Sequence, residues 1–473
     1  MHDVLDLPRL ILAGLGGGAG KTILSLGLSR AWTRSGHLVA PFKKGPDYID
    51  ATWLGLAARA PATNLDPFLM DADLLPALLA ERAHDCDVAV IEGNRGLFDG
   101  KDVTGSCSTA QLARLLKTPV VVIIDCTKMT RTVAAIVKGV SEFEEGVHIA
   151  GVVLNRTAGE RHREILRESI EHHTDVAVLG ALPKLDPDPI PERHMGLISN
   201  REYGGQEEVL ERLADIVKDN LDLEKISRIA ALAPPLETMR RDLWPGPVDL
   251  GKAGPVSIGY VRDASLWFYY EENLDSLRKA GANLVELSLL ARDEWPDIHG
   301  LYLGGGFPET MAKELAANTA VRQRVRAMAE MGMPIYAECG GFMFLGQSLE
   351  YEDRTYPMAG VFPVRTKLFP KPQGLGYVEA EVVAANPFFR QGAIIRGHEF
   401  HYSRCLAADG SVLELGLKMI RGNGMLAGYD GLRHKMTLAS YTHIHGLGVR
   451  EWAGNFVRAA ATFRGDPGMD GPR

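Results

Sequence analysis

Leu10-Ile11-Leu12-Ala13-Gly14-Leu15-Gly16-Gly17-Gly18-Ala19-Gly20-Lys21-Thr22 is the stretch that settles the class of fold. An apolar run of strand length passes into a glycine-rich turn, and Gly-Lys-Thr then opens a helix-like segment. Leu15 stands where the strict P-loop pattern has its first glycine, but the mechanics are intact. Gly16, Gly17, Gly18, Ala19 and Gly20 let backbone N–H groups close around phosphate oxygens, and the helix N-terminus adds partial positive charge. Lys21 is placed to reach the β- and γ-phosphates, and the Thr22 hydroxyl to hold Mg²⁺.

Working outward, strand-like pieces at 10–15, 38–42, 88–92, 120–125, 149–155 and 176–182 alternate with helix-length stretches at 22–34, 109–116 and 132–140. Strands apolar nearly throughout and separated by helices predict a parallel sheet covered on both faces. Between about 234 and 255, Pro234-Pro235, Pro245-Gly246-Pro247 and Gly254-Pro255 break the pattern as a linker would. A second series follows: strands at 256–261, 284–289, 300–303 and 334–337, with helices near 273–280 and through 310–330. The expected organisation is α/β with two tandem domains, 1–225 and 255–473, joined by a linker at 226–254.

The 473 residues carry 52 basic and 60 acidic side chains, so the net charge is −8. That balance argues against nucleic acid as the main partner. Mean hydropathy of −0.05 and strand-sized apolar runs exclude a membrane bundle. The amino terminus lacks the basic and apolar regions of a signal peptide. Cys86, Cys107, Cys126, Cys339 and Cys405 form no CxxC pair, which reads as reduced thiols in a cytoplasmic protein.

Two acidic motifs follow strands. Lys43-Lys44-Gly45-Pro46-Asp47-Tyr48-Ile49-Asp50 comes after 38–42, and Glu92-Gly93-Asn94-Arg95-Gly96-Leu97-Phe98-Asp99-Gly100 after 88–91. Carboxylates at the C-terminal ends of parallel strands face the ligand crevice of an open sheet. Beside a triphosphate, Asp47 and Glu92, with Thr22, are the candidate magnesium ligands. Asp102 reads instead as a turn residue. In the second half, Pro334-Ile335-Tyr336-Ala337-Glu338-Cys339-Gly340-Gly341-Phe342 resembles a nucleophile elbow, a tight turn that exposes its side chain at the sheet edge. The following helix is expected to lower the thiol pKa, and Gly340 together with Gly304-Gly305-Gly306 to offer oxyanion donors. A thiolate needs a base, and spacing alone leaves His398, His401, His443 and His445 all open.

Taken in order, these motifs resemble the cobyrinate a,c-diamide synthases, the CobB/CobQ-type glutamine amidotransferase family. Leu154-Asn155-Arg156, Pro191-Glu192-Arg193-His194-Met195-Gly196-Leu197, Phe268-Tyr269-Tyr270-x-x-Asn273-Leu274, Gly304-Gly305-Gly306-Phe307-Pro308-Glu309 and His398-Glu399-Phe400-His401-Tyr402 add to the likeness, which runs from about residue 8 to 460. The resemblance implies a dethiobiotin-synthetase-like P-loop domain and a class I glutamine amidotransferase domain. It implies ATP- and glutamine-dependent amidation of the a and c carboxylates of cobyrinic acid, in cobalamin biosynthesis. Residue by residue it makes Cys339 the nucleophile and His443 its activating base, with Asp47, Asp50, Glu92 and Asp99 as the acidic residues of the synthetase site. Asn155 joins the nucleotide-binding set. Where many class I enzymes place a triad Glu two positions after the histidine, this chain has His445. The implied partners are a tetrapyrrole, ATP, Mg²⁺ and glutamine, with neither nucleic acid nor membrane. The alternatives are the same reaction on Ni-sirohydrochlorin or hydrogenobyrinic acid and, in another class, a nucleotide switch with an inert cysteine domain. Gly16 speaks against that switch, because the switch class carries an extra lysine early in the loop.

Overall fold

The computed structural model describes residues 2–185, 192–193, 196–197, 204–239, 243–251, 254–292 and 294–465. The chain divides into two compact units, Met1–Pro67 with Asp71–Arg241, and Phe68–Met70 with Asp242–Arg473.

The first unit is built on seven parallel strands in the spatial order Thr63–Leu65, Val39–Lys44, Val88–Gly96, Arg9–Gly14, Val120–Asp125, Ile149–Thr157, Ala177–Pro183. Strands such as Val-Val-Val-Ile-Ile-Asp at Val120–Asp125 are apolar on both faces because helices cover both, as the sequence pattern predicts. Leu10, Leu12, Val90, Val121, Ile123 and Val153 pack beneath Leu24, Leu28 and Trp32 of the helix Lys21–Arg34. Arg9–Gly14 is central, and the chain leaves it toward one side before returning to the other. The C-terminal ends of Arg9–Gly14 and Val88–Gly96 therefore open at the switch point where ligands enter such sheets.

The expected linker of 226–254 is structured in its first part. Helix Leu223–Ala231 and strand Leu236–Met239 belong to the first unit, the latter paired antiparallel with His2–Leu5. The proline pair does not loosen the chain here, because the Pro234 carbonyl accepts from the buried Arg9 guanidinium at 2.5 Å. Of the motif at 191–197, Glu192–Arg193 and Gly196–Leu197 form a strand pair, and the rest lies outside the described residues.

The second unit holds a ten-stranded mixed sheet. Ala282–Leu287, Val256–Val261, Gly300–Leu303, Ile335–Glu338 and Thr437–Ser440 run parallel, and the remaining five strands, within 374–444, continue the sheet antiparallel. The helix expected through 310–330 is two, Ala312–Ala317 and Thr319–Glu330. Asn318 separates them with its side-chain amide donated to Leu289 O and Ala291 O at 2.8 and 2.9 Å. A tertiary capture of that amide overrides the helical pattern.

Candidate active sites

In the first unit the turn after Arg9–Gly14 enters its helix through Gly20, at φ 101°. A Cβ there would lie 2.3 Å from Asn155 Nδ2. Only glycine suits both the left-handed backbone and that close approach. The Asn155 amide donates to Ala19 O at 2.9 Å, so this buried residue braces the loop from behind. Around Gly16, Gly17 and Gly18 the space where a Cβ would point is open, and Lys21 curls back to donate from Nζ to Gly16 O at 2.9 Å. Burial, and then the neighbouring Lys43, lower the Lys21 pKa.

The acidic residues gather unevenly. Glu92, fully buried, accepts from Thr22 Oγ1 at 2.9 Å and Lys43 Nζ at 2.8 Å on one oxygen, and from Ser25 Oγ at 2.5 Å on the other. Lys43 also donates to Asp50 Oδ2 at 2.5 Å. Burial alone would discharge this lysine, but Asp50, Glu92 and Asp47 outweigh it and hold the ammonium. Asp47 caps the helix Tyr48–Ala58 by accepting from Asp50 N at 2.9 Å. Burial, then the Asp50 charge, push its carboxyl up to about 7. Asp99 is exposed and its charge bears on Lys21, its Oδ2 accepting from Gly96 N at 2.9 Å to close a turn. It borders a cavity of about 640 Å³ lined also by Arg95, Phe98, Val103, Phe143 and Glu144. Asp102 is the turn residue its sequence suggests, accepting from Thr104 and Ser106. Lys43 and Ser25 were not singled out from the sequence. A lysine closing an apolar strand was the available signal for the first.

In the second unit Cys339 follows the central strand Ile335–Glu338 and adopts φ 44°, ψ −98°, a strained conformation for a side-chain-bearing residue. Its N–H donates to Ser440 O at 2.7 Å, and Gly341 N to Gly304 O at 3.0 Å, so the turn is tied on both flanks. The space is tight: a Cβ on Gly341 would meet Leu303 O at 2.5 Å, and one on Gly340 would meet Gly306 N at 3.0 Å. The expected fall in thiol pKa is absent from this resting arrangement. Burial, then Glu309, push the Cys339 thiol up, and the Gly340 N–H of a six-residue helix opposes them only in part.

The structure separates the four histidines. A Cβ on Gly305 would lie 2.4 Å from His443 Cε1, which sets that ring against the loop touching Gly340. His443 Nδ1 faces Glu338 Oε2 at 3.6 Å. His398 stacks on His443 with ring centroids 4.8 Å apart, and burial, then His443 and His445, hold its pKa well below the usual range. His401 stacks on Tyr441 at 3.6 Å and faces Ser403 O with Nδ1 at 2.8 Å. His445, in the place of the usual triad glutamate, has Nε2 at 3.6 Å from Glu272 Oε2.

Against this geometry, the family model described as the CobQ/CobB/MinD/ParA nucleotide binding domain matches residues 10–198, and that of the CobB/CobQ-like glutamine amidotransferase domain matches 257–450. Cobyrinate a,c-diamide synthase of Magnetococcus marinus is 40% identical over 448 residues, covering 94% of this chain and 96% of that one. The chain belongs to the cobyrinate a,c-diamide synthase family. Family members so named in Listeria monocytogenes and Archaeoglobus fulgidus are 38% and 36% identical, covering 92% and 96% of this chain and 96% and 98% of theirs. Membership makes the chain a two-domain α/β ligase of the glutamine amidotransferase class, with a nucleotide-binding domain first. Among solved structures, the signal recognition particle receptor FtsY from Elizabethkingia anophelis in complex with GDP aligns at a TM-score of 0.29 and 15% identity, covering 38% of this chain and 58% of that one, too slight a likeness to carry argument. Among the described residues, no helix is long and apolar enough to cross a membrane.

Proposed function

We propose that this chain converts cobyrinic acid to its a,c-diamide with ATP and glutamine, activating each carboxylate as an acyl phosphate. One conjunction carries the reading: a phosphate loop gathered onto buried Glu92, and a thiol elbow packed against the glycine loop that meets His443, in a chain covered to 94% by a relative of that name.

A carboxylate is a poor acyl donor because oxide would have to leave. A carboxylate oxygen attacks the γ-phosphorus, ADP departs, ammonia attacks the acyl carbon, and inorganic phosphate leaves. In the first unit, Lys21 and the amides of Gly16–Gly20 meet the charge on the transferring group. Mg²⁺ takes one or two carboxylates plus waters and phosphate oxygens, so it needs no all-protein cage. Among the described residues no three His, Cys, Asp or Glu side chains converge on such a cage, while Thr22 and Glu92, 2.9 Å apart, suit the lighter pattern. Thr22 and Glu92, with Asp47 nearby, would hold the ion, which when bound neutralises charge on the β- and γ-phosphates. Lys43 keeps Glu92 and Asp50 in place.

In the second unit, the Cys339 sulfur attacks the glutamine amide carbon after His443 takes its proton. His443 returns that proton to the departing ammonia and then activates the water that releases glutamate from the thioester. Gly340 N–H stabilises the oxyanion. The five unbridged thiols suit the cytoplasm, where ATP and glutamine are drawn. Mass spectrometry of products from cobyrinate, ATP, Mg²⁺ and glutamine, each omitted in turn, tests the reading. Two successive gains of an amide, each requiring ATP, are expected, and no mass change on cobyrinate overturns it.

A further inference from the structure

His445 stands two residues after His443, at the position where many class I enzymes place a triad glutamate. We propose that Glu338, the residue immediately before the nucleophile, is the positioning carboxylate that orients His443 through Nδ1. The inference rests on reading Cys339 and His443 as the glutaminase pair.

Three observations carry it. Glu338 is fully buried at the end of the otherwise uncharged strand Ile335–Glu338, where a carboxylate requires partners. It has them: Tyr302 donates from Oη to Oε2 at 3.0 Å, and Oε1 receives Tyr336 Oη at 3.3 Å and Ile444 N at 3.1 Å. These donors fix the carboxylate so that its Oε2 faces His443 Nδ1 at 3.6 Å, the loose spacing that resting catalytic pairs show before substrate tightens them. With Nδ1–H turned to Glu338, Nε2 becomes the basic nitrogen. It lies 3.3 Å from the Cβ position of Gly305, on the loop that abuts Gly340.

Several charged or titratable neighbours are engaged elsewhere. His398, stacked on the other side of the ring, is held neutral. His445 faces a different carboxylate, with Nε2 at 3.6 Å from Glu272 Oε2. Asp430 is spent on Tyr441 N and Thr442 N, at 3.0 Å each, and on Thr442 Oγ1 at 2.8 Å. Glu309 bears on the Cys339 thiol. The nucleophile and the residue orienting its base would thus be adjacent in sequence, one turned into the crevice and the other beneath it.

The test is steady-state glutamine hydrolysis by the full chain across pH, with the rate of Cys339 alkylation by iodoacetamide as an independent readout. Glu338→Gln should lower kcat about 100-fold or more with KM within a few-fold, because it misorients the base without touching substrate. On loss of the carboxylate that faces the ring, the acid limb of the profile should move to lower pH in Glu338→Gln, and alkylation at neutral pH should slow. Glu338→Asp should keep the limb at its parental pH and recover part of kcat. His445→Asn should leave that limb in place. A Glu338→Gln enzyme with parental kcat and profile overturns the inference. If that variant does not fold, Glu338→Asp decides alone, a displaced limb counting against the proposal. Cys339→Ser separates the premises: hydrolysis persisting there removes the glutaminase reading itself, whereas hydrolysis lost there but parental in Glu338→Gln removes only Glu338.

Discussion

The two turns at the heart of the molecule, Gly14–Lys21 and Glu338–Gly341, share a topology and differ in how they fill space. Each leaves the C-terminal end of a parallel strand and enters a helix. At Gly16, Gly17 and Gly18 nothing lies within 4 Å of where a Cβ would stand, whereas at Gly340 and Gly341 such an atom would collide with neighbouring backbone. Gly16, Gly17 and Gly18 leave the middle of the first turn open, as a ligand would need, while Gly14 and Gly20 at its ends meet Ala19 and Asn155. The glycines of the second remove atoms so that a finished site can close. The lesson is that a glycine-rich elbow signals ligand space only where the missing side chain would face emptiness.

Mutations can break or sharpen this contrast. Cys339→Ser should show the largest effect: glutamine hydrolysis falls by about 10⁴-fold or more, while amidation with high ammonia continues. Simultaneous loss of both would mean the two turns do not divide the work. Lys21→Met should lower amidation about 100- to 1,000-fold with the glutaminase half still folded, because it removes a cation aimed at developing phosphoryl charge. Gly341→Ala should destabilise the chain by about 1–3 kcal/mol in denaturant unfolding, since Leu303 O, 2.5 Å from the new atom, is backbone and yields little. Gly17→Ala should change stability by less than about 0.5 kcal/mol and act instead as a raised KM for ATP, the methyl group intruding on the phosphate path. Equal stability losses in the two glycine variants would erase the distinction.

The smallest effect belongs to Asp47. Its folded-state pKa is raised to about 7 from the ordinary 3.8, so the fold binds that proton more tightly than the unfolded chain does. Stability from this group is therefore lost as pH rises between those two values. Asp47→Asn keeps an N-cap side chain for Tyr48–Ala58 and removes the charge, so the decline with pH over that window should flatten in thermal unfolding of the ligand-free chain.

What the sequence made legible follows the same division. The first unit reads well because its strands are apolar on both faces and its loop carries a spaced glycine pattern, so Arg9–Gly14, Val120–Asp125 and Lys21–Arg34 lie within a residue or so of their expected bounds. The antiparallel half of the second sheet went unread. Its long strand Gly374–Val382 mixes glycines with an irregular in–out burial, and one of its two pairing partners, Leu415–Arg421, lies beyond the next strands of the chain. Asn318 hid for a related reason, since only the folded neighbours Leu289 and Ala291 reveal why a helical run breaks there. Four histidines could not be ranked because spacing carries no information about the Gly305 loop that receives His443. Glu338 stood in plain view within the cysteine motif. A charged residue ending a fully buried strand was the signal that it had partners to find.

The ammonium of Lys43, clamped between Glu92 and Asp50, gives the resting nucleotide crevice a built-in counterion. Two lysines there, 21 and 43, stand against the carboxylates of Glu92, Asp50 and Asp47, so the crevice offers little surplus attraction to a bare polyanion. On the proposed reading, ATP escorted by a divalent cation should therefore bind more tightly than ATP alone, so that the crevice screens its fuel by the company it keeps.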